Sequence, residues 1–106
     1  MPKYLIKAAY SAEGAKGVLK EGGSKRREAI EQATRGMGGT VEAFYFAFGE
    51  TDAYVIIDIP DPLNAIAASL VVNASGTVKA TYTVLITPEE VDEAAKRSMD
   101  YRPPGQ

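Results

Sequence analysis

The sequence predicts one α+β domain in which a single antiparallel sheet carries helices on one face. Four segments have the composition and alternation of strands, and two other segments have apolar residues at helical spacing. Glycine or proline marks most of the boundaries between these segments. In chain order these segments read β-α-β-β-α-β, followed by a short C-terminal helix. The chain has 106 residues, which fits one domain. We expect that domain to cover residues 1–99, with residues 100–106 as an extended tail.

The four strands are predicted from runs of β-branched and aromatic residues that end at turn residues. Gly49-Glu50-Thr51-Asp52 separates the second strand from the third and is typical of a turn, so these two strands should form a hairpin. The predicted strands are Lys3–Tyr10, Thr40–Phe48, Ala53–Ile59 and Thr77–Ile86.

Three helices are predicted, each with a recognisable start. Ser24 is a good N-cap for Ser24–Met37, and Asp61 followed by proline begins Asp61–Ala74. Thr87-Pro88-Glu89-Glu90 is a capping box, which begins a last helix that should reach about Met99. Residues 11–23 contain four glycines and predict a long connection, with one helical turn around Ala15–Leu19.

The order β-α-β-β-α-β is the ferredoxin-like, split βαβ pattern. Right-handed crossovers then place both main helices on one face of the sheet and set the spatial strand order 4-1-3-2. The other face of the sheet, called the bare face below, is left uncovered by the chain itself.

Alternation along the strands assigns side chains to the bare face. The uniformly apolar set Val55, Ile57 and Ile59 should point to the helices. In the fourth strand the helix side takes Val78, Ala80, Tyr82, Val84 and Ile86. The bare face is then predicted to hold three phenylalanines, a tyrosine, several aliphatic residues and a few charges. A sheet face with so many apolar side chains is unlike a surface that stays exposed to water. We therefore expect a second copy to cover it. The predicted members are Leu5, Lys7, Ala9, Glu42, Phe44, Phe46, Phe48, Tyr54, Ile56, Asp58, Thr77, Lys79, Thr81, Thr83 and Leu85.

Lys7, Tyr54 and Asp58 are the bare-face residues with chemistry to offer. A lysine beside a carboxylate in a poorly hydrated cleft has a perturbed charge state, so the group could contact a ligand, or it could be a structural ion pair at a subunit interface. We predict that Lys7 and Asp58 form that pair. Ligand-binding candidates are Lys7, Asp58, Tyr54, Phe44, Phe46 and Thr81.

Composition excludes several functions. Histidine and cysteine are absent, which removes the usual zinc ligands, thiol chemistry and any Ser-His triad, and no metal or cofactor is expected. The net charge of −2 and the acidic neighbour Glu42 of the aromatic stripe argue against nucleic acid. No apolar run is long enough to span a membrane, and the opening MPKYLIKAAY is too short and charged for a signal peptide, so a cytoplasmic protein is expected.

Two charge patterns stand out along the helices. Lys25, Arg26 and Arg27 lie in one helical turn, where they could hold a phosphate or carboxylate or simply form a solvated face.

By contrast, residues 62–78 contain no charge at all. Their apolar stripe should pack on the sheet through Leu63, Ile66, Ala67, Leu70, Val71 and Ala74. The outer positions, Asn64, Ala65, Ala68, Ser69, Val72 and Asn73, should then be covered by Thr87–Gln106 of the same or a neighbouring copy, or by another oligomeric contact. An alanine-rich solvent-facing surface is the alternative.

The run Phe44-Tyr45-Phe46-Ala47-Phe48-Gly49-Glu50-Thr51-Asp52 resembles the signature of the GYD-domain family, and Met37-Gly38-Gly39 and Thr87-Pro88-Glu89-Glu90 lie where that family has similar residues. These are small bacterial and archaeal proteins of the dimeric α/β-barrel type, without an established biochemical role. The resemblance covers about Lys3 to Val91 and implies a homodimer. Thr51 replaces the family's usual tyrosine before the aspartate.

Three functions stay open at this point. The chain could be a homo-oligomeric module that binds a small apolar ligand between paired sheets. It could instead be a cofactor-free isomerase or monooxygenase acting on an apolar cyclic compound, a class suggested by fold analogy alone. A structural, oligomer-forming subunit is the third hypothesis.

Overall fold

The computed structural model describes residues 2–106, which form four strands and four helices. The strands are β1 (Lys3–Tyr10), β2 (Thr40–Phe46), β3 (Ala53–Asp58) and β4 (Val78–Leu85). The helices are α1 (Ala12–Glu21), α2 (Gly23–Gly36), α3 (Pro62–Ala74) and α4 (Pro88–Ala95).

The strands form one antiparallel sheet in the order β2-β3-β1-β4, which is the predicted order 4-1-3-2. The predicted β2–β3 hairpin is also confirmed. Helices α2 and α3 lie on the same face, because residues of both helices and of the sheet line one common cavity. The element order nevertheless departs from β-α-β-β-α-β, since two helices rather than one connect β1 to β2.

The extra helix, α1, corrects the expectation of a mainly irregular connection. Ser11 caps it by accepting a hydrogen bond from the amide of Gly14, and Gly22, with φ of +86°, separates it from α2. One of the glycines that predicted a loop, Gly14, has a packing role here. A Cβ at Gly14 would overlap the carbonyl oxygen of Thr77, so glycine lets α1 lie against the start of β4. This tertiary contact outweighs the low helix propensity of glycine.

The core lies between the sheet and the helices. Tyr4, Ile6 and Ala80 are buried there, together with Val55, Ile57 and Ile59, whose orientation toward the helices is confirmed. Val78 is buried too, whereas Val84 and Ile86, predicted on the same side, are exposed. The helices therefore cover only part of this face of the sheet.

A β-bulge reverses the predicted orientation of the phenylalanines. The register of β2 against β3 shifts between Val41 and Ala43, so one extra residue enters β2. After the bulge Phe44 lies opposite Val55 and Phe46 opposite Ala53, on the helix face. Their rings contact edge to face, with centroids 5.2 Å apart. The predicted placement of Phe44 and Phe46 on the bare face is therefore wrong, and Phe48 lies beyond the end of the strand.

Helix α3 is rotated relative to the prediction. Ala65 is buried, and Ala68 and Val72 are partly buried, whereas Leu63, Ile66, Leu70 and Val71 are exposed. Two asparagines fix this orientation. Asn64 Nδ2 donates to the carbonyl of Met37, and Asn73 bonds both the N–H and the carbonyl of Ala80 on the edge strand β4. Because α3 has apolar residues on all sides, periodicity alone could not choose the inner face.

The C-terminal segment projects from the rest of the chain. Every residue from 86 to 106 is exposed, although the capping box predicted at Thr87 and Glu90 is confirmed by both of its hydrogen bonds. The last helix ends at Ala95, earlier than the predicted Met99. The radius of gyration is 16.9 Å, against about 13 Å for a compact domain of this length.

Candidate functional site

An apolar cavity of about 190 Å³ lies between α2, α3 and the helix face of the sheet. Its floor consists of buried strand residues, including Ile6, Val55 and Ile57. Volumes of this size exceed the ~150 Å³ that accommodates benzene in an engineered apolar cavity. The cavity is the site at which this chain could enclose a small molecule.

Helix α2 supplies one wall of the cavity and, among residues 2–106, the only charged side chain that lines it. Ile30, Ala33, Thr34 and Met37 recur at helical spacing along this wall, and Arg26 lies one turn before them. The Thr34 hydroxyl is already satisfied, because it donates to the carbonyl of Ile30 at 2.7 Å. Arg26 is half-buried, and its Nε atom is buried with no hydrogen-bond partner among residues 2–106.

The opposite wall is built from α3 and β4. Ala68, Val71 and Val72 line it from the helix, and Val78, Ala80 and Tyr82 line it from the strand. Burial raises the pKa of the Tyr82 phenol, because the charged phenolate is poorly solvated there. Among residues 2–106, the side chains that line the cavity include neither a carboxylate nor a histidine.

The bare face carries a second group of candidates. Lys7 lies directly between Tyr54 on β3 and Thr81 on β4, and Tyr45 on β2 lies opposite Tyr54. These four residues form a row across the sheet, called the Tyr–Lys–Thr row below. Within it Lys7, Tyr54 and Thr81 are exposed in the single chain, as is Tyr45.

Asp58 lies far from Lys7, which makes the predicted ion pair wrong. Its register partner on β1 is Lys3, and Lys7 lies four residues further along, about 13 Å away in the strand direction. Lys3 Nζ is 4.0 Å from Asp58 and also bonds the Glu42 carboxylate. The hydrogen bond to Glu42 raises the pKa of Lys3. One oxygen of Asp58, Oδ1, is buried without a partner among the described residues.

The six candidates therefore separate into three groups. Lys7, Tyr54 and Thr81 lie in one row, Asp58 belongs to the Lys3 cluster, and both phenylalanines lie on the other face. Phe44 lines the cavity, while Phe46 packs against the start of α2, where a Cβ at Gly23 would lie 2.9 Å from its ring. Sequence reasoning missed Tyr45 because the bulge was not visible in the pattern. Sequence reasoning identified Arg26 only as one of three cations in a single helical turn.

Asp52, the acidic residue of the hairpin motif, has a structural role in this chain. Its carboxylate accepts a hydrogen bond from the amide of Tyr10 at 2.8 Å, and its own amide donates to the carbonyl of Ala8. These bonds join the end of the hairpin to the end of β1. Aspartate in a turn commonly accepts backbone hydrogen bonds in this way.

Among residues 2–106, no group of three or more acidic side chains is placed to hold a metal ion. Within the same residues, no helix combines the length and apolar character needed to cross a membrane.

The fold and cavity define a small α+β protein in which an open four-stranded antiparallel sheet is covered by helices on one face and encloses an apolar site. Comparison with protein families finds a match to the GYD domain over residues 4–95. The chain belongs to the GYD-domain family. The searches of curated proteins and of solved structures find no match.

Proposed function

We propose that this GYD-domain protein is a homo-oligomeric module that binds a small apolar molecule in the cavity between its helices and its sheet. In this proposal the subunits have a ferredoxin-like fold and pair through the bare face as a dimeric α/β barrel. The cavity is the observation that best supports the proposal, because natural cores are close-packed and leave few voids larger than a water molecule. An apolar cavity of about 190 Å³ in a chain this small therefore favours a bound molecule.

The shape of the site supports ligand entry without unfolding. Val71 lines the cavity and is at the same time 70% exposed, and Ala33 on the opposite wall is also exposed. The cavity therefore reaches the surface between α2 and α3. A ligand could enter there and displace poorly ordered water from apolar walls, which favours binding.

Filling the cavity tests ligand binding. In Ala68→Leu an isobutyl group replaces a methyl group in the cavity wall, and we expect at least tenfold weaker binding of toluene with the fold retained. Ala67→Leu is the matched control, because Ala67 is the adjacent residue of α3 and does not line the cavity. Binding is measured from amide chemical shifts in a toluene titration. Equal toluene affinity in both variants, or no binding to the unsubstituted protein, would contradict the proposed site.

The exposed area of the chain supports self-association. A compact monomer of 11.3 kDa exposes about 5,700 Å². This chain exposes 7788 Å², so the excess is about 2,000 Å². That excess is comparable to the area a stable protein interface buries in total.

Two surfaces supply apolar contact area for a second copy. Leu5 and Ile56 lie in the centre of the bare face, next to the Tyr–Lys–Thr row, and the buried unpaired oxygen of Asp58 lies on the same face. On the other side, Leu63, Ile66 and Leu70 form an exposed stripe along α3. We propose that the bare faces pair and that the projecting C-terminal segment of a neighbouring copy covers the α3 stripe. The assembly is then a dimer or is built from dimers.

Single aspartate substitutions test both surfaces. Ile56→Asp and Leu70→Asp should each reduce the oligomer size, because a charge buried in an apolar interface is destabilising. Leu70 is already 67% exposed in the single chain, so its substitution leaves the subunit fold intact. Leu19→Asp is the control, since Leu19 is an exposed leucine of α1 outside both surfaces. Light scattering coupled to size exclusion measures the outcome. A monomeric unsubstituted protein at low micromolar concentration would disprove the assembly.

A further inference from the structure

We propose that the cavity ligand is a small apolar carboxylate whose anionic group is bound by Arg26. This inference rests on the proposed binding site and specifies the chemical class of molecule that enters it. The charge of Arg26, its unused donor, the volume of the cavity and the position of its entrance lead to this class.

Among residues 2–106, Arg26 is the only charged residue that lines the cavity. No carboxylate among residues 2–106 lies within salt-bridge distance of its guanidinium, since Lys3 is the cation in both of the ion pairs among these residues. A cation beside an apolar site and without an internal partner attracts an anion more strongly than it would in bulk water, because the local dielectric constant is lower. The charge of the site thus selects an anionic ligand.

The Nε atom of Arg26 is a donor that the chain leaves unused. It is buried and has no hydrogen-bond partner within the described part of the chain. Buried donors of charged groups are destabilising when unpaired. Side-on pairing of a carboxylate with Nε and one terminal nitrogen would satisfy this donor, and arginine forms such two-bond contacts with planar carboxylates.

The walls and volume of the cavity restrict the rest of the ligand. Every other contact available to it is with apolar side chains, with Tyr10 and Tyr82, or with the already bonded Thr34. A doubly charged phosphate would find one cation and an apolar wall, so a monoanion matches better. At about 190 Å³ the cavity accommodates a benzene-sized ring with a short substituent. Arylacetates have this size and charge.

Arg26 is also in a position to hold the anionic group near the entrance. It is half-buried, so its side chain both lines the cavity and reaches solvent, whereas the strand residues Ile6, Val55 and Ile57 of the cavity floor are buried. Arg27 and Lys25, its neighbours in α2, are exposed and do not line the cavity. Of the three cations in this helical turn, only Arg26 is therefore assigned to the ligand.

Titration with phenylacetate and with neutral phenylacetamide, followed by amide chemical shifts, tests the proposal. We expect the unsubstituted protein to bind phenylacetate at least tenfold more tightly than phenylacetamide. Arg26→Gln should weaken phenylacetate binding at least tenfold and change phenylacetamide binding less than twofold. Arg27→Gln, which removes an equal charge from the same turn, should change phenylacetate binding less than twofold.

The possible results separate this inference from the proposed function. Equal affinity for the two probes in the unsubstituted protein overturns the carboxylate assignment and leaves the cavity site standing. An equal loss in Arg26→Gln and Arg27→Gln overturns the role of Arg26, because general charge attraction then explains the binding. Failure of phenylacetate, phenylacetamide and toluene alike overturns the binding site itself. Because the two-probe comparison needs no substitution, it decides the question even if Arg26→Gln does not fold.

Discussion

Replacing Gly14 with alanine is expected to lower the free energy of unfolding by about 2–3 kcal/mol, because the added methyl group overlaps a backbone carbonyl. A Cβ at this position would meet the oxygen of Thr77, which cannot move away as a flexible side chain could. The same carbonyl accepts hydrogen bonds from the amide and the hydroxyl of Ser11. Displacing it would therefore disturb the junction of β1, α1 and β4. Urea denaturation followed by circular dichroism measures the effect.

Gly17→Ala is the matched control for this prediction. Gly17 lies in the same helix, and a Cβ there would meet nothing within 4 Å. Alanine has the higher helix propensity, so this substitution should stabilise the protein by about 0.5–1 kcal/mol. The two substitutions should thus act in opposite directions. Similar stability of the two variants would show that α1 does not pack against β4 as described.

Ile57→Ala is expected to lower the free energy of unfolding by about 2–5 kcal/mol, because it opens a hole in the centre of the core. Ile57 is 2% exposed and lies on β3, paired on one side with Tyr4 and on the other with Val41. Thermal unfolding at a fixed protein concentration is the appropriate measurement, since self-association would make stability concentration-dependent.

Val84→Ala serves as the comparison for Ile57→Ala. Val84 alternates onto the same face of the sheet, opposite Tyr4, but remains 62% exposed. Its substitution should therefore change the free energy of unfolding of the subunit by no more than about 0.5 kcal/mol. If Val84→Ala destabilised the protein as much as Ile57→Ala, a neighbouring copy would have to cover this end of β4, and the boundary of the core would need revision.

The cavity could not be foreseen from the sequence, although several of its residues were placed correctly. Alternation assigned Val55 and Ile57 to the helix face, and they form part of the cavity floor. A cavity, however, is a volume left between elements. Its existence depends on the separation of α2 and α3, and no local pattern reports that distance.

One extra residue in β2 changes which side chains lie on the bare face. The sequence pattern correctly placed Lys7, Tyr54 and Thr81 together, because period-two alternation depends only on each strand's own residues. The bulge at Val41 and Ala43 moved the phenylalanines away from them and brought Tyr45 into the row. A bulge is specified by pairing between strands, so it is invisible in a single strand's composition.

By itself the sequence determined the strands, their antiparallel order and the capped starts of α3 and α4, because these depend on local periodicity, capping chemistry and chain connectivity. Only the tertiary structure decided the helical state of α1, the rotation of α3 and the partner of Asp58. Each of these depends on a contact between residues distant in the chain: Gly14 with Thr77, Asn64 with Met37, and Lys3 with Asp58. Long-range contacts of this kind set orientation and register, for which local residue preferences carry little information.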